Sequence, residues 1–410
     1  MQEITIGMTS LQYESITTPR QLTEFCDALA QAPSIAFDTE FVSEDSYRPE
    51  LCLVQVAAGD RLAAIDTLAI QDLTPFWERL AAPGHVTLVH AGREDLCFCL
   101  RAIGRPPHGL FDTQIAAGLI GLEYPAAYST LLAKLLGKTL GKGETRTDWR
   151  RRPLSTRQLD YALQDVLYLE ALREALVRKL EPLGRLPWLQ TELDSRHLQL
   201  EESELREPWR RLTGIANLSS RSLAIARQLW YWRDTEAQRL NRPPRRVLRD
   251  DLIAELAKRA TAEPQQIRAL RGMDLLDKQK YETAIAECIR QALDVPRESW
   301  PAPAERLSNR PQLTLLAQFL AAALGSLCRS QQVAASLVAT VQDVRDLIAY
   351  RLGLDEPDGA LPALAQGWRA EVVGRTIEEL LAGRLSFHIA DPLGEQPLGF
   401  EPRDVSPRSP

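Results

Sequence analysis

The stretch Ser34-Ile-Ala-Phe-Asp-Thr-Glu-Phe41 decides how this chain folds. It is apolar enough for a buried strand, and side chains on a strand alternate between its two faces. Ile35, Phe37, Thr39 and Phe41 therefore share one face, while Asp38 and Glu40 share the other. Two carboxylates side by side repel each other. Such a pair suits a cation lying between them, because hard divalent ions prefer oxygen ligands. A solvated edge strand produces the same Asp-x-Glu pattern, so the pair alone assigns no function.

Outward from this strand, Thr18-Pro19 opens a helix to about Gln31, with proline at the first helical position. Downstream, CLVQVA and LAAIDT read as two strands of a hairpin turning at Gly59-Asp60, and Val86 to His90 as a fourth strand. Helical pattern follows from Arg93 to about Ala102 and from Asp112 to Gly121. This alternation over the first 180 residues predicts an α/β domain. Gly137 to Pro153 is a polar, basic loop. Ser155-x-x-Gln158 then fits a capping box, which starts a long helix to about Leu180, broken by Pro182, Gly184 and Pro187.

Two further acidic features fall inside this domain. Asp95, in HAGREDL, sits in the first turn of a helix that follows a strand. Tyr161 and Asp165, in YALQD, lie one turn apart on the same helix face. Each has a plain structural reading, as a partner of the helix dipole or as mere neighbours.

As a set, Asp38-x-Glu40, Asp95 and Tyr161-x-x-x-Asp165 resemble the three exonuclease motifs of the DEDD superfamily, and the tyrosine resembles its DEDDy branch. The segments FDTEFVSEDSYRPELCLVQVA, HAGREDL, FDTQIAA and KGETRTDWRRRPLSTRQLDYALQDV are similar to bacterial ribonuclease D over roughly residues 11 to 180. The resemblance implies a ribonuclease H-like mixed sheet flanked by helices. It also implies 3′-to-5′ removal of nucleoside 5′-monophosphates from RNA, with tRNA precursors carrying 3′ extensions as the partner. Phosphodiester hydrolysis needs an activated water and a stabilised leaving oxygen, which two divalent ions provide together. Asp38, Glu40, Asp95 and Asp165 are the expected ligands, direct or through water, for Mg²⁺ or Mn²⁺. The family places the Tyr161 hydroxyl against the attacking water. With an ordinary pKa near 10, it orients that water rather than acting as a bulk base.

Other motifs carry structural expectations. Asp112 in FDTQ reads as a helix cap, His90 as a structural residue, and Cys97-x-Cys99 has the wrong spacing for a zinc knuckle. Gly137-Lys138-Thr139 lacks the upstream glycine of a P-loop, so no nucleoside triphosphate partner is expected.

Basic side chains supply most of the attraction for RNA phosphates. Lys142, Arg146, Arg150, Arg151 and Arg152, just before the Tyr161 helix, are candidate phosphate contacts. Trp149 is a candidate base-stacking residue, although a loop anchor is the simpler role. The net charge is −6, yet Arg206 to Asp250 holds eleven arginines against four acids, a local balance of +7. From about Pro208 to Leu293 the chain resembles an HRDC module, carried by LWYWRDTEAQRLNRPPRRVLRDDLIAELA. Arg242, Arg245, Arg246 and Arg249 flank its double proline and are candidate RNA contacts, while Trp230 and Trp232 read as core.

The plan is thus an exonuclease domain over 1–190, an HRDC domain over 205–295, a second HRDC-like helical domain over 308–390, interrupted near Glu356 to Gly359, and a disordered tail over 391–410. With 45% hydrophobic and 25% charged residues, the composition excludes collagen, a coiled-coil rod and wholesale disorder. Leu313 to Leu327 is the longest apolar run, falls short of a membrane span, and reads as a buried helix. No membrane partner is expected. Six cysteines are too few for a disulfide scaffold, so cytoplasm is the expected compartment. The expected activity is that of a 3′-to-5′ exoribonuclease. A DNA exonuclease with the same acids and a non-catalytic nucleic-acid scaffold are the alternatives.

Overall fold

A seven-stranded mixed sheet, ordered β1-β2-β5-β4-β3-β6-β7, organises the N-terminal part of the chain. The computed structural model describes residues 2–6, 9–140, 147–205, 208–273, 280–303, 310–354, 361–394 and 396–403. The strands are β1 (Gln2–Ile6), β2 (Thr9–Ile16), β3 (Ser34–Val42), β4 (Glu50–Ala58), β5 (Arg61–Asp66), β6 (Val86–Val89) and β7 (Leu110–Asp112). β3, β4 and β5 form an antiparallel meander, with Gly59 at φ 59° in the turn between β4 and β5. β6 and β7 extend it in parallel beyond β3, and β2 pairs in parallel with β5.

The sheet is buried on both faces, as the apolar strand runs require. Ile35 and Phe37 pack with Val54, Val56, Phe76 and Trp77 beneath α1 (Pro19–Leu29), α2 (Thr74–Ala81) and α3 (Arg93–Ile103). α1 carries a capping box at Thr18 and Gln21 with proline in its first turn. On the opposite face, Ala36, Leu53 and Leu88 pack with α4 (Thr113–Gly118), α5 (Tyr128–Leu131), α6 (Thr156–Leu167) and α7 (Leu169–Leu180).

The four expected strands are present. β1, β2 and β7 are additional. β7 is three residues long and leads straight into a helix, so it carries too little alternation to register in sequence. The single long helix expected up to Leu180 is two, divided at Tyr168 with φ −109° and ψ 7°. There the Tyr168 N–H donates to the Tyr128 hydroxyl at 3.3 Å.

α8 (Leu186–Leu205) leads out of the sheet domain. The helices that follow, α9 (Ser220–Leu240) through Glu282–Asp294, enclose a core of their own around Trp209, Leu229, Ile253, Ile285 and Ile289. Trp230 and Trp232 pack against it, Trp232 edge-on to Tyr281 at 5.2 Å.

The last helical part, expected over 308–390 as a second HRDC-like domain, shares its core with the sheet domain. Leu313, Leu320 and Leu324 join the same core as Leu119, Leu131 and Leu172 of the sheet domain. The Ala334 N–H donates to the Gly118 carbonyl at 2.8 Å, and Arg185 bridges the Leu119 and Gln332 carbonyls, each at 2.6 Å. A Cβ on Gly118 would meet Leu337 at 2.8 Å, which explains the glycine. The apolar run expected to be too short for a membrane span is part of a 20-residue helix, Pro311–Ser330, long and apolar enough by length and composition. Here Leu313, Ala317, Leu320 and Leu324 face the core, whereas Leu315 and Phe319 are exposed, so the helix is buried on one side rather than all round.

The tail also departs from expectation. β8 (Leu385–Ile389) pairs with β9 (Leu398–Pro402), placing Phe387 opposite Phe400 with ring centroids 6.0 Å apart. Phe319 packs on Phe387 at 5.3 Å, giving this Pro- and Gly-rich stretch an apolar anchor that composition hides. The expected interruption at Glu356 to Gly359 and residues 404–410 lie outside the described residues.

Candidate active site

β3 delivers the first two acids in the geometry its alternation dictates. Asp38 and Glu40 project toward α6, where Asp165 faces them. One oxygen from each of Asp38, Glu40 and Asp165 lies within 4.8 Å of the others. The register with β4 shifts between Glu40, opposite Leu53, and Phe41, opposite Leu51. Bulges of this kind re-aim a side chain next to functional sites.

Asp95 enters from α3. It is 7% exposed and accepts a hydrogen bond on Oδ1 from the Thr39 hydroxyl. The turn that places it is fixed by Asp112, which accepts from the backbone N–H groups of Ala91 at 3.1 Å, Gly92 at 3.4 Å and Gln114 at 2.8 Å. Asp112 therefore caps α4, as the sequence suggests, and also holds the entry to α3. Gly92 must be glycine, since a Cβ would sit 2.7 Å from the Val89 side chain.

α6 is positioned from both ends. At its start, Ser155 and Gln158 form the capping box, and the Gln158 amide also donates to Thr147 at 3.1 Å. At its end, the Tyr128 hydroxyl donates to the Gln164 carbonyl at 3.1 Å, beside Asp165. His90 is structural: its ring nitrogens lie 2.9 Å from Thr113 Oγ1 and 3.1 Å from the Ala126 carbonyl, and burial holds its pKa below the ordinary value.

The electrostatics are those of concentrated, uncompensated negative charge. Burial is the largest cause in every case. It pushes Asp38 well above the ordinary carboxylate range, with Asp95, Asp165 and Glu40 adding repulsion. Burial and then Asp165 and Asp95 raise Glu40 to about 8. Asp165 is raised to about 7 by burial, against a hydrogen bond from Tyr161. Asp95 is raised to about 6, with the Thr39 hydrogen bond opposing the rise. Tyr161 is pushed above its ordinary value by burial and by Asp165, Glu40 and Asp38. Among the described residues no lysine or arginine pairs with Asp38, Glu40 or Asp165.

This arrangement fits divalent cations: the donors are all oxygen, and their charge finds no cationic partner among the described residues. A second observation agrees. Gln55 stands directly opposite Asp38 in the β3–β4 register, is wholly buried, and neither atom of its amide finds a hydrogen-bond partner among the described residues. A buried orphan amide is costly, so its place beside the acids suits a site completed by a ligand.

A groove of about 540 Å³ opens from Glu40, walled by Phe41 to Asp45 on one side and Thr147 to Arg150 on the other. The basic residues expected around it have different fates. Trp149 is an anchor, 4% exposed, with its ring 6.3 Å from that of Tyr161. Arg150 faces the groove, held 2.9 Å from Asp148 and 3.9 Å from Asp45. Arg151 is exposed.

Arg152 corrects the sequence reading. Its five N–H groups donate to Asp66 at 2.6 and 2.8 Å and to the carbonyls of Cys52, Trp149 and Arg151 at 2.7 to 2.9 Å. It has no donor left for a phosphate and instead pins the loop to the sheet. Lys142 and Arg146 lie outside the described residues. In the helical part, Arg242 is exposed, Arg245 pairs with Asp250 at 3.0 Å, and Arg249 pairs with Asp251 at 2.9 Å. Arg246 alone of these four reaches the groove wall, at 3.0 Å from Asp45.

Sequence reasoning missed Thr39, Tyr128 and the clamp role of Arg152. Only Thr39 left a signal, since strand alternation places it on the face that α3 covers.

Known proteins resemble both parts of the chain. A family model described as a 3′-5′ exonuclease matches residues 13–181, and the HRDC domain model matches residues 222–289. Ribonuclease D of Gluconacetobacter diazotrophicus is 36% identical over 377 residues, spanning 90% of this chain and 93% of its own length. The chain belongs to the ribonuclease D family. Ribonuclease D of Escherichia coli K12 is 31% identical over 375 residues, 90% of this chain and 99% of that one. The crystal structure of Escherichia coli RNase D, an exoribonuclease involved in structured RNA processing, matches with a TM-score of 0.80 at 30% identity, covering 91% of this chain and 99% of that chain. The activity is accordingly that of a 3′-to-5′ exoribonuclease, a metal-dependent hydrolase whose substrate is RNA.

Proposed function

We propose that this ribonuclease D trims the 3′ extensions of tRNA precursors in the cytoplasm, releasing nucleoside 5′-monophosphates. The observation that carries the reading is the convergence of Asp38, Glu40 and Asp165 on one point, with Tyr161 hydrogen-bonded to Asp165 at its edge. Asp38, Glu40, Asp95 and Asp165 would hold two divalent ions, Mg²⁺ or Mn²⁺. When bound, such ions supply an acidified water and charge stabilisation for the leaving oxygen.

The chain's own groups do the rest. Tyr161, pushed above its ordinary pKa, stays protonated at neutral pH and orients the attacking water through its hydroxyl. Arg150 and Arg151 contact phosphates of the strand entering the groove, and Arg242, Arg245, Arg246 and Arg249 extend that surface onto the HRDC region. Buried Trp149 shapes the groove rather than stacking on a base. Six free, buried cysteines accord with a reducing compartment.

The test is a comparison of three 5′-labelled substrates: a tRNA with a short 3′ extension, an unstructured RNA, and a DNA of matched sequence. The reading predicts that shortening of the tRNA stops near the end of the acceptor stem, that the unstructured RNA is degraded throughout, and that DNA is spared. Equal attack on DNA would overturn the RNA preference. Digestion into the stem would overturn the maturation role.

A further inference from the structure

The loop between β3 and β4 faces two ways. One side, Ser43 to Asp45, walls the groove that begins at the acids. The other side is clipped to the HRDC region. Tyr47 packs on the core of that region, and its hydroxyl donates to the Asp234 carboxylate, 2.9 Å from each oxygen. The Tyr47 N–H donates to Asn241 Oδ1 at 3.2 Å. Asn241 ends α9 in the left-handed conformation, φ 45°, which turns its side chain to this contact. Asp45 meets Arg246 of the HRDC region at 3.0 Å and Arg150 of the groove at 3.9 Å.

These contacts are not equal in weight. The Asp45 pairs are half exposed, and exposed ion pairs contribute little. The Tyr47 hydroxyl is part-buried and bonded to a charged acceptor, which makes it the stronger element. The groove is lined from Glu40 to Arg150, and Asp45 at its wall joins Arg150 to Arg246, so the seam between these two arginines borders the groove.

We propose that the Tyr47–Asp234 contact is a specificity determinant, a latch that holds the HRDC region against the groove wall so that a long RNA meets one continuous basic surface. A dinucleotide, which does not reach past the groove, has no use for the latch. Tyr47 and Asp234 touch neither the reacting atoms nor the phosphates; they position the surface that does. This inference rests on the exoribonuclease reading of the site.

The experiment measures kcat and KM for Tyr47→Phe, Asp234→Ala and the double variant on two substrates. One is a single-stranded RNA several times longer than the groove, and the other is a diribonucleotide. Each single variant loses about tenfold in kcat/KM on the long RNA, through KM, which is the scale of one hydrogen bond to a charged group. Turnover of the dinucleotide stays within about twofold, and the double variant is no worse than the more damaged single, as expected for one shared contact. Dinucleotide turnover also reports that the variants are folded. Equal losses on both substrates, or no loss on either, would overturn the latch. If the unmodified enzyme degrades neither RNA, it is the exoribonuclease reading that fails, and that is visible before any variant is compared.

Discussion

The Thr39 hydroxyl donates its hydrogen bond to Asp95 Oδ1, from the face of β3 opposite Asp38 and Glu40. One strand thus serves the site twice, presenting two acids directly and steadying a third through its other face. Thr39→Val keeps the shape of the side chain and removes the donor. Because this bond opposes the burial that raises Asp95 to about 6, its loss raises Asp95 further. The acidic limb of the pH–rate profile should move up by about one unit, the scale of a hydrogen bond to a carboxylate. Thr39→Ser should restore it. An unmoved limb in Thr39→Val would remove Thr39 from the site.

The raised carboxyls also set how stability depends on pH without metal. Their folded-state values, about 6 for Asp95, about 7 for Asp165 and about 8 for Glu40, lie above the unfolded values near 4. Between the unfolded and folded values the native state binds more protons, so stability is full at low pH and falls as pH rises through this window. In chelator, the thermal midpoint attributable to these groups should drop from about pH 5 to about pH 8. Added Mg²⁺ should raise the midpoint more at the upper end than at the lower. A chelated midpoint that rises across the window would contradict the uncompensated-charge picture.

Adjacent arginines should separate cleanly. Arg152→Ala strands Asp66, a mostly buried carboxylate, and should cost about 3 kcal/mol of stability, read in urea unfolding. Arg151→Ala leaves stability unchanged and weakens RNA binding, reducing the slope of log affinity against log salt by about one. The reverse assignment of effects would mean that the loop meets RNA in a different conformation.

These two positions show what the sequence could and could not convey. Basic residues in a loop beside an acidic motif look alike in sequence, yet Arg152 finds Asp66 on β5, a partner 86 positions away. The acids were legible because alternation along β3 and helical spacing in α6 are local rules. The helix start at Thr18-Pro19, the capping box at Ser155 and the Asp112 cap were legible for the same reason. What stayed hidden depends on distant pairing: the short β7, the break at Tyr168 set by Tyr128, and the merging of Leu313 to Leu324 into the core of the sheet domain. The hairpin of β8 and β9 was hidden because two phenylalanines outweigh an otherwise polar composition.

Tyr161→Phe tests the role of the hydroxyl alone. The ring contact with Trp149 persists, so the groove keeps its wall. A positioned proton-transfer or water-orienting group is worth about a hundredfold or more, and kcat should fall by about that amount while Mn²⁺ affinity, read by calorimetry, stays the same. A full-speed Phe variant would remove Tyr161 from the mechanism.

The central claim is that the carboxylate cluster on β3 and α6 is the hydrolytic centre. Its most direct test is a 5′-labelled RNA resolved by length after incubation with the unmodified enzyme and with Asp38→Ala, in Mg²⁺, Mn²⁺ or excess chelator, with RNA binding measured in parallel. The account predicts a ladder shrinking from the 3′ end that appears only with metal and only with the unmodified enzyme, while Asp38→Ala still binds RNA. A ladder produced by Asp38→Ala at the unmodified rate would contradict it.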